Sequence, residues 1–180
     1  MLEMDEKLKT HVFELRVLMS LAWKSAMQHL DQWLAQHEAD ITRVQLGVMR
    51  TIDQEGAHTL SDLSRKWGLD PSTLVPTVDA LERKRYITKQ RDPQDRRRVL
   101  ISLTELGKQV VANVPLIPED DPLFNALKSL GEQDTHQLLT LLCKLVHRMP
   151  QGEQLIEDAQ SRLFAHGAKE TYLICKSSKD

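Results

Sequence analysis

A dense group of basic residues, from Arg83 to Arg98, stands out in a chain that is mildly acidic overall. The 180 residues include 24 Lys and Arg against 26 Asp and Glu, which gives a formal net charge of −2. Eight of the sixteen residues in the group are basic and two are acidic, so this window carries +6 and the rest of the chain −8. Such segregation indicates a localised contact with a polyanion. A solvated basic hairpin that binds nothing is the other interpretation of the charge.

The basic group surrounds a predicted β-hairpin. Tyr86–Arg91 and Arg98–Leu103 have the residue types of strands, and in the second the apolar residues recur at alternate positions. The segment Asp92-Pro93-Gln94-Asp95 between them has the composition of a tight turn. The positive charge is therefore concentrated at a projecting tip.

Two short helices are predicted immediately before the hairpin. The first runs from about Leu60 to Trp67 and can be capped by Thr59. A three-residue turn containing Gly68 follows. The second runs from Pro71 to about Lys84, with Asp70 as its cap and proline at the first helical position, where a missing N–H costs nothing. Two short helices joined by such a turn are the helix-turn-helix signature.

The second of these helices carries a stripe of small or polar side chains beside its apolar face. Leu74, Val78 and Leu81 recur at helical spacing and are predicted to face the core. The stripe allows close approach of a backbone, and its hydroxyl groups can donate or accept hydrogen bonds. The major groove of DNA is about 12 Å wide and admits one helix. The predicted DNA contacts on this helix are Ser72, Thr73, Pro76, Thr77 and Lys84.

The hairpin tip is predicted to make a second contact with DNA. Its arginines, Arg96, Arg97 and Arg98, can reach the narrower minor groove, where negative potential is concentrated. Helix, helix-turn-helix, hairpin and helix follow one another in the order of a winged helix. The predicted fold class is therefore mainly α with a small β-hairpin wing, which forms a winged helix-turn-helix DNA-binding domain; the helical dimerisation domain beside it is what the family resemblance described below implies.

Pro76 breaks a local rule. It lies inside the predicted second helix and has no N–H to donate to the Ser72 carbonyl. In an ordinary helix interior a proline costs about 3 kcal/mol. A proline at this position indicates either a functional role or a plain kink in the second helix. This helix, which is predicted to enter the major groove, is called the reading helix below.

Long or wide apolar faces outside this region predict contact with a second chain. His11–Gln36 is predicted as one long helix with a broad apolar stripe. Glu132–Met149 has leucines on more than one face, so we expect it to be buried on two sides. The other predicted helices are Thr42–Glu55, Glu105–Val114, Pro122–Leu130 and a weak one at Glu153–Phe164.

Three stretches resemble the MarR family. DRRRVLISLTELG, from Asp95 to Gly107, is similar to the wing signature of that family, Asp-x-Arg followed by Leu-Thr-x-x-Gly. LSDLSRKWGLDPSTLVPTVDALERKRYI matches its helix-turn-helix in length and apolar pattern, and LGEQDTHQLLTLLCKLV resembles its last dimerisation helix. The resemblance covers roughly residues 10 to 149. The first helix also resembles that of the bacillary subgroup that represses protease production and sporulation.

The resemblance implies a bacterial, homodimeric transcriptional regulator, expected to be a repressor, that binds a pseudo-palindromic operator in double-stranded DNA. It implies that Arg97 enters the minor groove and that Asp95 holds this arginine in position. The implied organisation is an N-terminal dimerisation helix at 10–36, a winged helix-turn-helix DNA-binding domain at 42–104, C-terminal dimerisation helices at 105–149 and an extension at 150–180.

Two departures from the family pattern concern structure. The family usually has glycine at the end of the reading helix, where this chain has Arg85. A left-handed arginine would cost about 1 kcal/mol, so we expect either a different turn or an added phosphate contact. The prolines at 115, 118 and 122 interrupt what is often one long helix.

Other function classes have less support. The sequence has no metalloprotease, serine-hydrolase, phosphate-binding or dinucleotide-binding motif, so no catalytic residue is predicted and the chain is not expected to be an enzyme. No two histidines stand four residues apart, so no metal is predicted. A winged helix that docks proteins is the alternative function. No cofactor is expected. A small-molecule effector is possible, and Trp23 and Met49 could line its pocket, although ordinary core is the favoured role for both.

The two cysteines, Cys143 and Cys175, are expected to be thiols rather than a disulfide, because the protein is predicted to be cytoplasmic. Cys143 lies in LLTLLCKLV and is expected to be a small core residue. No membrane contact is predicted, since no apolar run approaches the roughly 18 residues that span a bilayer.

Overall fold

The computed structural model describes residues 2–165 and residue 175, and nearly all of its regular structure is helical. Contacts divide the chain into two units, one built from the first and sixth helices and the other from the remaining elements. The elements in chain order are α1 (Leu2–Gln36), α2 (Arg43–Glu55), α3 (Leu60–Trp67), α4 (Pro71–Arg83), β1 (Ile87–Arg91), β2 (Val99–Leu103), α5 (Glu105–Asn113), α6 (Pro122–Leu130), α7 (Glu132–His147) and α8 (Gly152–Ala165). The predicted fold class, mainly α with one hairpin, is confirmed.

The first unit contains a longer α1 than the sequence predicts. The helix begins at Leu2 rather than at His11, because no proline or glycine interrupts the first ten residues and local pairs support the extra turns. Lys9 Nζ lies 2.7 Å from Glu6 Oε1, and the Thr10 hydroxyl donates to the Glu6 carbonyl at 3.1 Å. The periodic apolar pattern in the sequence begins after these residues, so it does not mark the first residue of α1.

Helix α6 packs against α1 within this unit. Asp121 caps α6, since one of its carboxylate oxygens accepts from the backbone N–H groups of Leu123 and Phe124 at 2.8 and 3.0 Å. The ring of His29 on α1 lies 3.1 Å from the Asp120 carboxylate. The proline-containing segment thus ends in an ordinary capped helix, as predicted from Pro122.

Most of α1 is uncovered in a single chain. Residues 5–25 are all exposed, and Ala26 and Leu34 are its buried positions. Trp23 is 68% exposed, so the expectation that it belongs to the core is wrong for one chain taken alone. The part of the apolar stripe between Val12 and Trp23 is therefore exposed to solvent, whereas its end near Leu34 is buried.

The second unit has a compact core under the helix-turn-helix. Met49 is fully buried, as expected for a core residue. The other large side chains that are almost wholly buried come from α2, α3, α4 and β2, and they are Leu46, Val48, Leu63, Leu74, Leu81 and Ile101. Helix α2 approaches α3 closely at Gly47, where a Cβ atom would overlap the Trp67 ring.

The hairpin forms in the predicted place, with each strand starting one residue later than expected. β1 and β2 are antiparallel, and the register runs from Ile87 opposite Leu103 to Arg91 opposite Val99. His58 extends the sheet beyond β2: its N–H donates to the Ile101 carbonyl at 3.1 Å, and the Ile101 N–H donates back at 2.8 Å. The loop before α3 is thereby hydrogen-bonded to the wing.

The last helices only partly cover each other. Helix α7 ends at His147 rather than Met149, and Cys143 is its one buried residue. The expectation of burial on two sides is therefore not met within one chain, where Leu138, Leu141 and Leu145 stay exposed. Helix α8 packs on α7 and also contacts α2.

Cys143 and Cys175 form a disulfide bond, so the prediction of two thiols is wrong. Their Cα atoms lie 4.8 Å apart, within the range that a disulfide requires, although 32 residues separate them in sequence. Both are buried, beside Val146 and Ile156, and the His147 ring hydrogen-bonds the Cys175 carbonyl. The prediction failed because cysteine spacing in the sequence does not show that Cys175 lies beside Cys143 of α7.

Removing this disulfide should lower the free energy of unfolding by about 3–4 kcal/mol, the chain-entropy value for a loop of about 30 residues. Urea denaturation of a Cys143→Ser/Cys175→Ser variant and of the reduced native chain should give the same loss. Thiol titration of the denatured, unreduced protein should detect no free thiol. Two reactive thiols per chain, together with a free energy of unfolding that reductant does not change, would contradict the disulfide between Cys143 and Cys175.

No helix in the described part of the chain has both the length and the apolarity to cross a bilayer.

Candidate nucleic-acid interface

The first helix of the helix-turn-helix starts at a complete capping box. The Asp62 N–H donates to the Thr59 hydroxyl at 3.1 Å, and the Thr59 N–H donates to Asp62 Oδ2 at 3.2 Å. The helix ends at Gly68, whose φ of 62° is left-handed and is favourable in glycine. Both ends of α3 are thus set by residues within one turn.

Asp70 occupies the N-cap position of α4, as predicted. Its side chain makes no capping hydrogen bond to the helix, so the predicted capping interaction is absent. Its carboxylate instead accepts from the Ser72 hydroxyl at 3.3 Å. Pro71 takes the first helical position as expected. The turn therefore depends on Gly68 and Pro71 more than on a capping carboxylate.

Helix α4 buries one face and exposes the other. Leu74, Val78 and Leu81 are buried, as predicted. Ser72, Thr73 and Pro76 are exposed, and Thr77 is half-buried. The helix runs uninterrupted from Pro71 to Arg83 with Pro76 inside it. The exposed face thus places two hydroxyl groups and one proline ring side by side, with Thr77 at its edge.

Lys84 lies apart from these residues. It is the C-cap of α4, so about 18 Å of helix separates it from Ser72 at 1.5 Å per residue. It is half-buried, and its backbone N–H donates to the Ala80 carbonyl at 3.1 Å. The structure therefore groups Ser72, Thr73, Pro76 and Thr77 and leaves Lys84 at the far end of the helix.

Asp95 organises the tip of the wing through the backbone. Its carboxylate accepts from the Arg97 N–H at 3.0 Å, and its carbonyl accepts from the Arg98 N–H at 2.9 Å. The Asp92 carboxylate accepts from the Gln94 N–H at 2.8 Å in the same way. The tip is therefore a hydrogen-bonded turn that holds Arg97 by its main chain, and Arg97 is exposed.

Two of the eight cations in the basic group are neutralised by nearby acids. Lys89 on β1 lies 2.6 Å from the Asp79 carboxylate and 2.8 Å from that of Glu82, both on α4. These two hydrogen bonds raise the pKa of the Lys89 ammonium. Arg98 Nη2 lies 3.3 Å from Asp62 Oδ2. The cations for which the described residues offer no such partner are Arg83, Arg85, Arg91, Arg96 and Arg97.

Asp62 connects α3 to the base of the wing. One of its oxygens caps α3 and contacts Arg98, and the other lies against Arg65. The Thr59 hydroxyl is the main cause that holds the pKa of Asp62 below its usual range, with Arg65 and Arg98 adding to the effect. Because the folded pKa is lowered, Asp62 contributes its full stabilisation above its unfolded pKa of about 3.9, and this contribution is lost as pH falls through the lower pKa of the folded state.

Replacing Arg98 by alanine should weaken DNA binding less than replacing Arg96, because Arg98 is already paired with Asp62. A cation that contacts one phosphate contributes about 0.9 to the slope of log K against log salt. We expect Arg96→Ala to lower the slope by about that amount per wing and Arg98→Ala to lower it by less than half as much. Titrations across a salt series measure both. Equal losses would contradict the assignment of Arg98 to the Asp62 pair.

Arg85 keeps the left-handed conformation that glycine usually supplies at the end of the reading helix. Its φ is 60°, and its N–H donates to the Glu82 carbonyl at 2.9 Å. The Thr104 hydroxyl donates to the Arg85 carbonyl at 2.7 Å. An arginine therefore takes the left-handed position of this turn, where it adds an exposed cation at a conformational cost.

Replacing Arg85 by glycine should raise the free energy of unfolding by about 1 kcal/mol, because glycine adopts positive φ without steric strain. The matched control is Arg85→Ala, which removes the same charge but keeps a Cβ, and should leave stability within about 0.5 kcal/mol of the parent. Urea denaturation measures both. Equal stability of the glycine and alanine variants would contradict the strained turn.

Three structural roles at this site were missed from the sequence: the Lys89 ion pairs, the Asp62–Arg98 link and the His58 bridge. The Thr59-x-x-Asp62 spacing was a signal for the capping box, but nothing local connects residues 36 apart. Among residues 2–165 and 175, no cluster of histidine, cysteine or acidic side chains could hold a metal ion.

The family model described as "MarR family" matches residues 41–99, from just before α2 to the start of β2. The transcriptional regulator SarZ of Staphylococcus haemolyticus is 28% identical over 127 residues, which cover 64% of this chain and 85% of SarZ. SarZ of Staphylococcus aureus strain USA300 is 29% identical over 111 residues, which cover 62% of this chain and 73% of SarZ. Both relatives are named as helix-turn-helix transcriptional regulators.

A solved structure with a similar fold is that of a cysteine-to-serine mutant of MarR from E. coli complexed with operator DNA. It has a TM-score of 0.64 and 24% sequence identity, and the match covers 75% of this chain and 95% of that one. The transcriptional regulator Tm0710 from Thermotoga maritima has a TM-score of 0.51 and 26% identity, over 75% of this chain and 92% of its own. The likeness to the E. coli protein establishes the shared fold.

Proposed function

We propose that this chain is a MarR-family DNA-binding transcriptional regulator that acts as a homodimer on a pseudo-palindromic operator, because residues 41–99 match the family model and the regulator SarZ is similar in sequence. The observation that carries this proposal is the joint position, within one unit, of an exposed hydroxyl-bearing helix face and a wing tip where Arg96 and Arg97 have no acidic partner among the described residues.

The reading helix of the proposal is α4. Its exposed face presents the hydroxyl groups of Ser72 and Thr73, which can donate to or accept from base edges. The small size of these residues lets the helix backbone approach the floor of the major groove. Thr77, at the edge of the same face, extends the contact along the helix.

The wing supplies the second contact. Arg96 and Arg97 project from a turn that Asp95 holds by backbone hydrogen bonds, so these guanidinium groups are presented at a defined place. A narrow minor groove concentrates negative potential and attracts arginine. Arg97 is assigned to the groove, and Arg96 with Arg98 to flanking phosphates, with Arg98 the weaker contact because of its Asp62 partner. Lys84 is assigned a backbone phosphate beyond the end of α4.

The dimer is supported by large apolar side chains that one chain leaves exposed. On α1, Phe13 is 69% exposed and Leu18 is 64% exposed, and on α7, Leu141 is 57% exposed. Large apolar side chains that stay exposed on one helix face are typical of an interaction surface. We assign dimerisation to residues 10–36 and 105–149 and DNA binding to residues 42–104, with 150–180 as an extension.

A symmetric dimer reads two half-sites of opposite orientation, which the proposal sets about one helical turn apart. Occupation of such a site would exclude other proteins from the same DNA, so repression is the expected outcome. A regulator of this kind acts on the bacterial chromosome and therefore in the cytoplasm.

The experiment is a selection of random duplexes on the purified protein, followed by sequencing and footprinting. An enriched inverted repeat, protected at both halves by one dimer, supports the proposal. The control is an Arg96→Ala/Arg97→Ala variant, which should retain the dimer and enrich no sequence. If the native chain enriches nothing and its binding vanishes at moderate salt, the proposal fails, and a winged helix that docks proteins becomes the better assignment.

A further inference from the structure

Pro76 lies at the centre of the outward face of α4. With about 100° between successive residues of an α-helix, Pro76 falls within roughly 20° of the direction opposite the mean of Leu74, Val78 and Leu81. Those three side chains are buried, whereas Pro76 is exposed. A helix that packs by its leucines therefore projects this proline directly away from the protein.

Packing does not account for a proline at this place. Its ring lies on the exposed face, and it removes one hydrogen bond from a helix that otherwise continues from Pro71 to Arg83. Almost any other residue would suit an exposed helix position better. A residue that disfavours its own helix, but lies on a surface that contacts a ligand, indicates a role in binding that ligand. Here the surface is the exposed face of α4 and the proposed ligand is DNA.

The chemistry of the ring limits what it can recognise. Proline has neither a side-chain donor nor an acceptor, so it cannot hydrogen-bond a base edge. Among the groups that base pairs present in the major groove, the thymine C5-methyl is the apolar one. The neighbouring hydroxyls of Ser72 and Thr73 accept as well as donate, so they discriminate weakly between bases. An apolar contact would add discrimination that the hydroxyl groups lack.

We propose that Pro76 is a specificity-determining residue that contacts the C5-methyl group of one thymine in each operator half-site. This inference rests on the proposed function, because it requires α4 to lie in the major groove. It assigns the apolar part of the recognition to one residue and leaves the polar part to the hydroxyl groups beside it.

The test replaces each thymine of the selected operator by deoxyuridine, one at a time, which deletes the methyl group and nothing else. A buried methyl group contributes about 0.8 kcal/mol, so the native chain should lose about fourfold in affinity at one position per half-site. Pro76→Ala should show no loss at that position, since alanine does not reach as far. Alanine is a strong helix former, and thermal unfolding will verify that the variant remains folded.

Two further variants separate a contact from a kink. Pro76→Val keeps an apolar side chain without the ring, so it should retain part of the deoxyuridine effect at the same thymine. If Pro76 acts only by bending α4, valine and alanine should behave alike. Pro150→Ala removes an exposed proline far from α4 in the sequence, and it should match the native chain at every position.

The outcomes are distinct. A thymine whose methyl effect disappears in Pro76→Ala and partly survives in Pro76→Val supports the contact. An equal loss in native chain and alanine variant, or an operator without any sensitive thymine, overturns the contact and leaves the proposed function standing. Failure to select any operator contradicts the proposed function and the contact together.

Discussion

Replacing Arg97 by alanine should lower operator affinity by about 100-fold while leaving the dimer intact. A hydrogen bond to a charged group contributes about 1.5 kcal/mol, and a homodimer has two wings, so about 3 kcal/mol is lost. The structure supports a local effect, because Arg97 is exposed and its side chain has no hydrogen-bond or ion-pair partner among the described residues. Fluorescence anisotropy with the selected operator measures the loss, and analytical ultracentrifugation measures the dimer.

Arg148→Ala is the control for the loss of one positive charge, because Arg148 is an exposed arginine after α7. This variant should change operator affinity by less than about threefold at equal salt. Arg97→Lys should bind with intermediate affinity, since it keeps the charge and loses the planar fork. If Arg97→Ala binds the operator as well as the native chain does, the assignment of the wing to the minor groove is wrong.

Replacing Gly107 by alanine should destabilise the DNA-binding unit by about 3 kcal/mol, the upper end for overpacking. Gly107 is buried near the start of α5, where a Cβ atom would collide with the Tyr86 carbonyl. That oxygen belongs to the backbone, so no side chain can move aside to make room. The measurement is urea denaturation, and binding at a temperature where the variant is folded should stay near native.

Lys108→Ala is the matched control, because it is the next residue in the same helix and is exposed. It removes only a surface ion pair with Glu105, so its stability should lie within about 0.5 kcal/mol of the native chain. An unchanged free energy of unfolding for Gly107→Ala would show that the Tyr86 carbonyl and α5 can move apart without cost, contrary to the close approach at Gly107.

The helix ends that the sequence predicted correctly are those set by neighbouring residues. Helix α3 begins after Thr59 and ends at Gly68, and α4 begins at Pro71, each within one turn of its signal. The start of α1 was missed by nine residues because no such signal exists there and the apolar period begins later than the helix.

The sequence proposed the residues of the candidate site and a DNA contact for each, but it did not show which side chains pair with one another. The sequence grouped Lys84 with Ser72 and counted Lys89 with the free charge, whereas the structure separates Lys84 along the helix and pairs Lys89 with Asp79. Charge counts include every cation equally. Ion pairs across elements depend on which side chains meet, and no local pattern encodes that.

The sequence by itself determined the order of helices, the hairpin and the concentration of positive charge at its tip, because each follows from residues close together in the chain. Only the tertiary structure showed that Arg98 forms an ion pair with Asp62, 36 residues away, and that Cys143 forms a disulfide with Cys175, 32 residues away. Only it located the Cβ clash that requires Gly107. These features depend on the close approach of segments distant in the chain, which packing of the whole unit brings about and local propensities do not.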